Sequence, residues 1–171
     1  MNAQNIELKA RLGSLAAARQ VAAQVATEHL GVQRQVDTYF VSRHGRLKLR
    51  EIDGGQAQLV WYERPDQPSA KLSNYVLVPV DSPALLKAAL AGACGMRVVV
   101  DKRREIFLAD NVRIHLDQVV GLGDFLEFEA VLGPGITPLD GQRQVDALAQ
   151  RFGITGEMLI HASYADLLEQ P

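Results

Sequence analysis

Apolar and polar side chains alternate along much of this chain of 171 residues. Alternation with a period of two is typical of β-strands that bury one face. Short turns containing Gly, Pro, Asn or Asp separate most of the alternating segments, which favours antiparallel pairing. The pattern predicts eight strands: Asn5–Leu12, Gln33–Val41, Arg46–Ile52, Gln58–Arg64, Lys71–Val78, Arg97–Leu108, Val112–Val120 and Phe125–Leu132.

Helical segments are fewer and lie between or after these strands. Capping residues and helical spacing of apolar side chains predict helices over Leu15–Leu30, Pro83–Leu90, Leu139–Phe152 and Ser163–Glu169. Many antiparallel strands with a few helices indicate an α+β fold, and the strand count alone is compatible with a closed barrel or an open sheet. The length suits one domain spanning residues 1–171.

Charged residues on the strands are sorted by sign. Residues two apart in a strand share a face, so Arg46, Lys48 and Arg50 lie together, as do Glu127 and Glu129. Each row could be the solvent-facing side of an antiparallel sheet. Repeated rows of like charge argue against that reading, because neighbouring like charges repel each other.

The two kinds of row together suit one class of ligand. Arginine side chains bind phosphate oxygens in bidentate geometry, and carboxylates are preferred ligands of magnesium and manganese. A barrel whose polar face points inward would hold a polyphosphate and a divalent cation. This arrangement requires the apolar faces to point outward, under the helices or a partner subunit.

Composition and charge exclude several other classes of protein. The formal net charge of −2 argues against a general nucleic-acid-binding protein, for which a basic excess is expected. One cysteine excludes an internal disulfide framework and a multi-cysteine zinc site. The N-terminus has no leader-like pattern, and no apolar run is long enough to span a membrane. We therefore expect a cytoplasmic protein without nucleic-acid or membrane partners.

Several motifs, in their order along the chain, resemble those of the CYTH domain proteins. These are the triphosphate tunnel metalloenzymes, which include class IV adenylyl cyclases and thiamine triphosphatases. The resemblance extends from Asn5 to about Leu168 and implies an eight-stranded antiparallel closed β-barrel, the triphosphate tunnel, with flanking helices. It rests on the segments Asn5–Lys9, Gln35–Phe40, Gly45–Arg50, Trp61–Pro65, Lys102–Arg104, Arg113–Asp117 and Gly121–Glu129.

The resemblance also implies roles for individual residues. The metal, Mg²⁺ or Mn²⁺, would be bound by Glu7, Asp117, Glu127 and Glu129. Catalysis would involve Glu7, Lys9 and Glu129. The triphosphate would be bound by Lys9, Arg46, Lys48, Arg50, Arg64, Lys102, Arg104 and Arg113.

Three positions qualify this picture. The family's N-terminal signature has two acids before its lysine, and Asn5 stands in place of the first one. An amide oxygen can coordinate a metal but carries no charge, so catalysis could be weakened or lost. His115 is interpreted as a structural hydrogen-bonding residue rather than a metal ligand. Tyr39 is interpreted as a packed strand residue, with a contact to phosphate or nucleophile as its alternative.

The expected function is metal-dependent hydrolysis of tripolyphosphate or of an organic triphosphate such as a nucleotide or thiamine triphosphate. One alternative is a class IV-type adenylyl cyclase that forms cyclic AMP and pyrophosphate from ATP. No base-binding motif accompanies the phosphate-binding residues, which favours hydrolysis. A further alternative, suggested by Asn5, is a module that binds polyphosphate or nucleotide without cleaving it. A homodimer would bury those outward apolar faces of the strands that the helices do not cover.

Overall fold

The computed structural model of the protein describes residues 3–67 and 69–170. The strands are β1 (Ala3–Arg11), β2 (Glu28–Phe40), β3 (Arg46–Ile52), β4 (Gln56–Glu63), β5 (Lys71–Pro79), β6 (Met96–Ala109), β7 (Val112–Val119) and β8 (Gly123–Leu132). The α-helices are α1 (Leu15–Val25), α2 (Pro83–Cys94), α3 (Pro138–Arg151) and α4 (Tyr164–Glu169), and a short 3₁₀ helix covers Gly156–Met158. Within the described ranges, no helix is both long and apolar enough to cross a membrane.

The strands form a closed antiparallel barrel in the order β1-β5-β4-β3-β2-β6-β7-β8. The barrel closes where β1 pairs with β8, with Glu7 opposite Glu129 and Lys9 opposite Glu127. In this ring β2 is four strands from β1 in both directions, so the two strands face each other across the interior. The predicted α+β barrel with flanking helices is confirmed, and an open sheet is excluded.

The apolar core lies outside the barrel, between its outer surface and the helices. Ile114 and Phe128 point outward from their strands and pack in one buried cluster with Ala22 of α1 and Val145 of α3. Gly141 lets α3 approach closely, because a Cβ atom there would lie 2.9 Å from a side chain of β8. Outward apolar packing leaves the inner face of the strands free for polar side chains.

The C-terminal helix α4 covers one end of the barrel. Its first turn is fixed by a capping box, in which the Asp166 backbone N–H donates to Ser163 Oγ and the Ser163 N–H donates to Asp166 Oδ2. Tyr164 then inserts beside Phe125, with ring centroids 5.0 Å apart in an edge-on arrangement. Both Ser163 and Tyr164 reach the interior, so α4 forms part of its lining.

The predicted first helix is wrong at its C-terminal end. Helix α1 ends at Val25, where Ala26 adopts an extended conformation, and β2 starts at Glu28. The segment predicted as the end of the helix instead pairs with the end of β6, with Glu28 opposite Leu108. Because β6 is long, its backbone groups need partners, and strand pairing outweighs a helical sequence pattern.

Some outward apolar side chains remain uncovered by the helices. Val32, Val78 and Val99 are about half-exposed on the outer surfaces of β2, β5 and β6. Apolar side chains on an outer surface are compatible with a homodimer, which stays a prediction.

Candidate functional site

The barrel encloses a cavity of about 390 Å³ whose walls are formed by the inward-facing residues of the strands. Ten of the residues that line it carry charged side chains, and the cationic ones outnumber the carboxylates. The cationic residues are Lys9, Lys48, Arg50, Arg64, Lys102, Arg104 and Arg113, and the acidic ones are Glu7, Glu127 and Glu129. Ten of the twelve predicted site residues therefore line one cavity, whereas Arg46 and Asp117 do not line it.

One side of the cavity, which we call the basic wall, consists of Lys48, Arg50 and Lys102 around Asp37. Lys48 Nζ lies 2.9 Å and Lys102 Nζ 2.8 Å from Asp37 Oδ2. Arg50 donates to both carboxylate oxygens of Asp37, at 2.8 and 3.0 Å. These residues come from β2, β3 and β6, which are neighbours in the barrel. Three buried or half-buried cations thus share one carboxylate.

Charge crowding on the basic wall changes the pKa values of its members in opposite directions. Burial alone would raise the pKa of Asp37, but Arg50 and Lys102 outweigh it, so the pKa lies well below its usual value. Burial lowers the pKa of Lys102 to about 7, and the neighbouring Arg50 adds to this effect despite the attraction of Asp37. One carboxylate therefore does not fully compensate the three cations.

The other side of the cavity, which we call the acidic wall, consists of Glu7, Glu127, Glu129 and His115 on β1, β7 and β8. Strand register brings them together, since Glu129 lies opposite Glu7 on one side and Arg113 on the other. Glu127 likewise lies between Lys9 and His115. The arrangement forms two adjacent rows across three strands.

Cations at the margin of the acidic wall contact its carboxylates. Lys9 Nζ lies 2.6 Å from Glu127 Oε1, and Arg104 Nη2 lies 2.7 Å from Glu127 Oε2. These two cations hold the pKa of Glu127 well below its usual value, although burial opposes them. Burial raises the pKa of Glu7, and the nearby Glu127 and Glu129 add to the rise against the attraction of Arg64. The acids thus differ in how readily they take up a proton.

The guanidinium of Arg64 has N–H groups that make no hydrogen bond with the described residues. Its Nη1 lies 2.8 Å from Glu7 Oε1, but Nε and Nη1 have no hydrogen-bond partner among the described residues. Both atoms are buried, and buried guanidinium donors are normally paired. The side chain lines the cavity, so an anionic ligand there would supply acceptors for these donors.

The donor set of the acidic wall fits a divalent cation. His115, Glu127 and Glu129 each offer one ligand atom, and these atoms all lie within 4.8 Å of one another. Two further observations support a ligand at this place: His115 Nδ1 and Asn5 Oδ1 are buried and lack a hydrogen-bond partner among residues 3–67 and 69–170. Carboxylate and amide oxygens are ligands of Mg²⁺ and Mn²⁺, and imidazole nitrogen is a ligand of transition-metal cations.

Two of the predicted site residues have other partners. Asp117 is fully buried and does not line the cavity; its carboxylate accepts hydrogen bonds from Arg104 and from the Tyr164 hydroxyl at 2.8 Å. Arg46 lies beside a second, smaller cavity and pairs with Asp66 at 2.7 Å and Asp166 at 2.8 Å. Asp117 thus orients the guanidinium of Arg104, and Arg46 connects β3 to α4.

The sequence did not assign roles to Asp37 and Tyr164, and it favoured packing over stacking on a base as the role of Tyr62. Asp37 shares the inward face of β2 with Gln35 and Tyr39, so strand alternation could have placed it in the cavity. Tyr62 lines the cavity and its hydroxyl lies 3.4 Å from that of Tyr39. Tyr164 had no such indication, because it reaches the cavity from a helix that covers the end of the barrel.

Comparisons with known proteins agree with this architecture. PH1012 from Pyrococcus horikoshii OT3 has a TM-score of 0.83 and 24% identity, over 95% of this chain and 98% of that chain. An adenylate cyclase candidate from Vibrio parahaemolyticus has a TM-score of 0.77 and 23% identity, over 97% of this chain and 98% of that chain. HpAC1 from Hippeastrum, an adenylyl cyclase candidate with a dominant triphosphatase activity, has a TM-score of 0.65 and 16% identity, over 96% and 93%.

At the level of sequence the comparisons give one clear assignment. Among curated protein sequences none matches the chain. The sequence model of the CYTH domain matches residues 3–164, which is nearly the whole chain. With the closed barrel and its charged interior, this match shows that the chain belongs to the CYTH domain family.

Proposed function

We propose that the protein binds a triphosphate with a divalent cation, Mg²⁺ or Mn²⁺, inside the barrel and hydrolyses it. The observation that carries this proposal is the basic wall, where Lys48, Arg50 and Lys102 share the single carboxylate of Asp37. An anion with several charged groups would neutralise the excess. The cavity volume of about 390 Å³ is in the range of small-molecule sites.

The acidic wall gives the proposal its metal dependence. Glu127 and Glu129, with Glu7 beside them, would hold the cation, and Asp117 is left out of this set because it is fully buried and does not line the cavity. When bound, such a cation neutralises phosphate charge and polarises the bond to be cleaved. The basic wall would bind the remaining phosphate oxygens from the opposite side.

Residues of the chain supply orientation and a place for the proton. Arg64 would donate its Nε–H group, which has no partner among the described residues, to a phosphate oxygen, and Lys9 would keep Glu127 ionised. Glu7 is the carboxylate with a raised pKa, so it is the one best suited to accept a proton from the attacking water. Phosphoryl transfer depends mostly on positioning and charge stabilisation, which this lining can provide.

The opening of the cavity favours an organic triphosphate and keeps adenylyl cyclase as a second candidate function. Leu30 and Leu77 line the cavity and are about half-exposed, so they lie where it meets solvent. Ile52 and Leu108 add to this apolar rim. An organic group such as a nucleoside or thiamine would contact the rim while its phosphates extend inward. The triphosphatase activity of HpAC1, a structural neighbour, is compatible with the first candidate.

The test is an assay of the purified protein with tripolyphosphate, ATP and thiamine triphosphate, each with Mg²⁺ or Mn²⁺. We expect release of orthophosphate from at least one of them. Cyclic AMP with pyrophosphate would establish the cyclase instead. Triphosphate binding without any product would mean that Asn5 marks a binding module. A protein that neither binds nor cleaves any of the three would contradict the proposal.

A further inference from the structure

Among the described residues, none forms a hydrogen bond with Nδ1 of the His115 imidazole. Its Nδ1 atom lies 3.6 Å from Glu127 Oε2 and 3.7 Å from Glu129 Oε1. Both separations are too long for hydrogen bonds. The residue is only 4% exposed, and Nδ1 has no hydrogen-bond partner among the described residues. A buried polar atom without a partner is costly unless a ligand supplies one.

The position of His115 is fixed by the sheet. On β7 it lies directly opposite Glu127 of β8 and Ile106 of β6. Its strand neighbours Ile114 and Leu116 are buried in the outer core, which holds the backbone of this segment in place. The imidazole therefore stays beside the two carboxylates, and the unpaired atom is not the result of a mobile surface side chain.

The distances are those of atoms that can share one ion. Bonds from nitrogen and oxygen ligands to a divalent cation the size of zinc are about 2.0–2.2 Å long. Two ligand atoms of one such ion are therefore at most about 4.4 Å apart. Nδ1 meets this limit with both carboxylates. The same three residues are the ones whose ligand atoms lie within 4.8 Å of one another.

We propose that His115 binds the divalent cation directly through Nδ1, together with Glu127 and Glu129, and that this nitrogen ligand makes the site select Mn²⁺ or Co²⁺ over Mg²⁺. The inference rests on the proposed metal-dependent function and adds a ligand and a selectivity to it. It replaces the interpretation of His115 as a structural hydrogen-bonding residue.

Ligand chemistry gives the reason for the selectivity. Mg²⁺ prefers oxygen ligands in a regular octahedron and gives up its water molecules reluctantly. Imidazole nitrogen suits first-row transition metals, whose affinity for a given nitrogen and oxygen site rises from Mn²⁺ to Co²⁺. A mixed nitrogen and oxygen site is therefore expected to bind Mn²⁺ more tightly than Mg²⁺.

The experiment is pulsed electron paramagnetic resonance on Mn²⁺ bound to the intact protein. Electron spin-echo envelope modulation detects nitrogen that is bonded directly to Mn²⁺. We expect a nitrogen modulation whose frequencies change when the protein is labelled with [¹⁵N]histidine. The labelled protein keeps its native sequence, so this readout does not depend on the folding of a variant.

Two variants assign the nitrogen to one residue. In His115→Gln the modulation should disappear and the Kd for Mn²⁺ should rise by at least about tenfold. His44→Gln is the matched control, since His44 is exposed in the loop between β2 and β3 and does not line the cavity. It should leave modulation and affinity unchanged.

The possible results separate this inference from the proposed function. Bound Mn²⁺ without a histidine modulation, in a protein that still cleaves triphosphate, would overturn the role of His115 and leave the function intact. Equal affinity of the native protein for Mg²⁺ and Mn²⁺ would overturn the selectivity. Absence of any Mn²⁺ binding, with and without tripolyphosphate, would overturn both proposals.

Discussion

The basic wall and the acidic wall balance their charges in different ways. On the basic wall, three cations bond to the single carboxylate of Asp37, and both of its oxygens accept hydrogen bonds. On the acidic wall, Glu127 is bonded to Lys9 and Arg104, but His115 Nδ1 remains without a partner among the described residues. The first wall therefore has a surplus of positive charge, and the second has unused ligand atoms.

This difference teaches how one interior can bind an anion and a cation together. The basic wall is centred on β2 and the acidic wall on β1 and β8, and β2 and β1 are four strands apart in the ring, although β6 and β7 adjoin. Their separation prevents the acids from neutralising all the cations. A ligand that brings both negative oxygens and a divalent cation would complete both walls at once.

The largest effect is expected from Asp37→Asn, which breaks the basic wall. The amide leaves Lys48, Arg50 and Lys102 facing one another without a counter-charge, and removing one partner of a buried ion pair costs about 3–5 kcal/mol. The free energy of unfolding, measured by urea denaturation, should fall by this amount. Added tripolyphosphate should restore part of it, because the anion replaces the lost charge.

The control is Asp81→Asn, in the exposed segment before α2, which should leave the free energy of unfolding unchanged. If Asp37→Asn were as stable as the native protein, the three cations would not be crowded as described.

The next largest effect is expected from Glu129→Gln, which alters the acidic wall. Loss of one charged group that stabilises the reacting phosphate should reduce turnover of the triphosphate substrate by about 10²–10³-fold. Binding should survive in part through the basic wall, so the Kd for the triphosphate measured by calorimetry should change much less. Glu63→Gln, an exposed position at the end of β4, is the control and should keep full activity. Unchanged turnover in Glu129→Gln would remove this residue from the site.

A smaller effect is expected from Arg113→Ala at the margin of the acidic wall. The Arg113 side chain is 43% exposed, and its nearest acid, Glu129, is 3.5 Å away, so the guanidinium is largely free to bind a ligand. Loss of a hydrogen bond to a charged group should weaken triphosphate binding by about 1.5–3 kcal/mol. Calorimetric titration measures this change. Arg103→Ala, exposed on the outer face of β6, serves as control, and equal affinities of the two variants would argue against a contact by Arg113.

The smallest effect is a proton taken up when the ligand binds. The pKa of Lys102 is about 7 in the folded protein, below its ordinary value of 10.5. Between these values the unfolded chain binds more protons than the folded one, so this group makes the fold more stable as pH rises. A bound triphosphate favours the charged lysine and raises its pKa. At about pH 8 binding should therefore take up close to one proton, and at about pH 6 much less.

Calorimetry in two buffers with different ionisation enthalpies measures the proton uptake. The ligand titrates as well, so the quantity to compare is the difference between the native protein and Lys102→Met. The same uptake in both proteins at about pH 8 would show that Lys102 is already charged before the ligand binds.

The inward rows of charge could be predicted from sequence because strand geometry is local. Lys48 and Arg50 are two residues apart, as are Glu127 and Glu129, and this spacing places each pair on one face whatever the rest of the fold does. The resemblance to the CYTH family then indicated that those faces point into a closed barrel. The prediction of the barrel was confirmed by the pairing of β1 with β8.

The errors and omissions come from contacts between segments that are distant in sequence. The start of β2 was predicted as helix because the local sequence up to Leu30 does not show that β6 requires a partner strand there. The assignment of Asp117 as a metal ligand stays a prediction, and its hydrogen bond from Tyr164 depends on where α4 covers the barrel. For the same reason, Arg46 could not be separated from Lys48 and Arg50 on spacing alone.

The sequence by itself determined most of each strand, which residues share a face and the chemical types of the side chains on each face. It did so because a period of two in polarity fixes the faces of a strand without reference to its neighbours. Tertiary structure alone decided which acids meet which cations, and that His115 Nδ1 is left between Glu127 and Glu129. Those pairings depend on the register between β1, β7 and β8, and register is a property of the closed barrel.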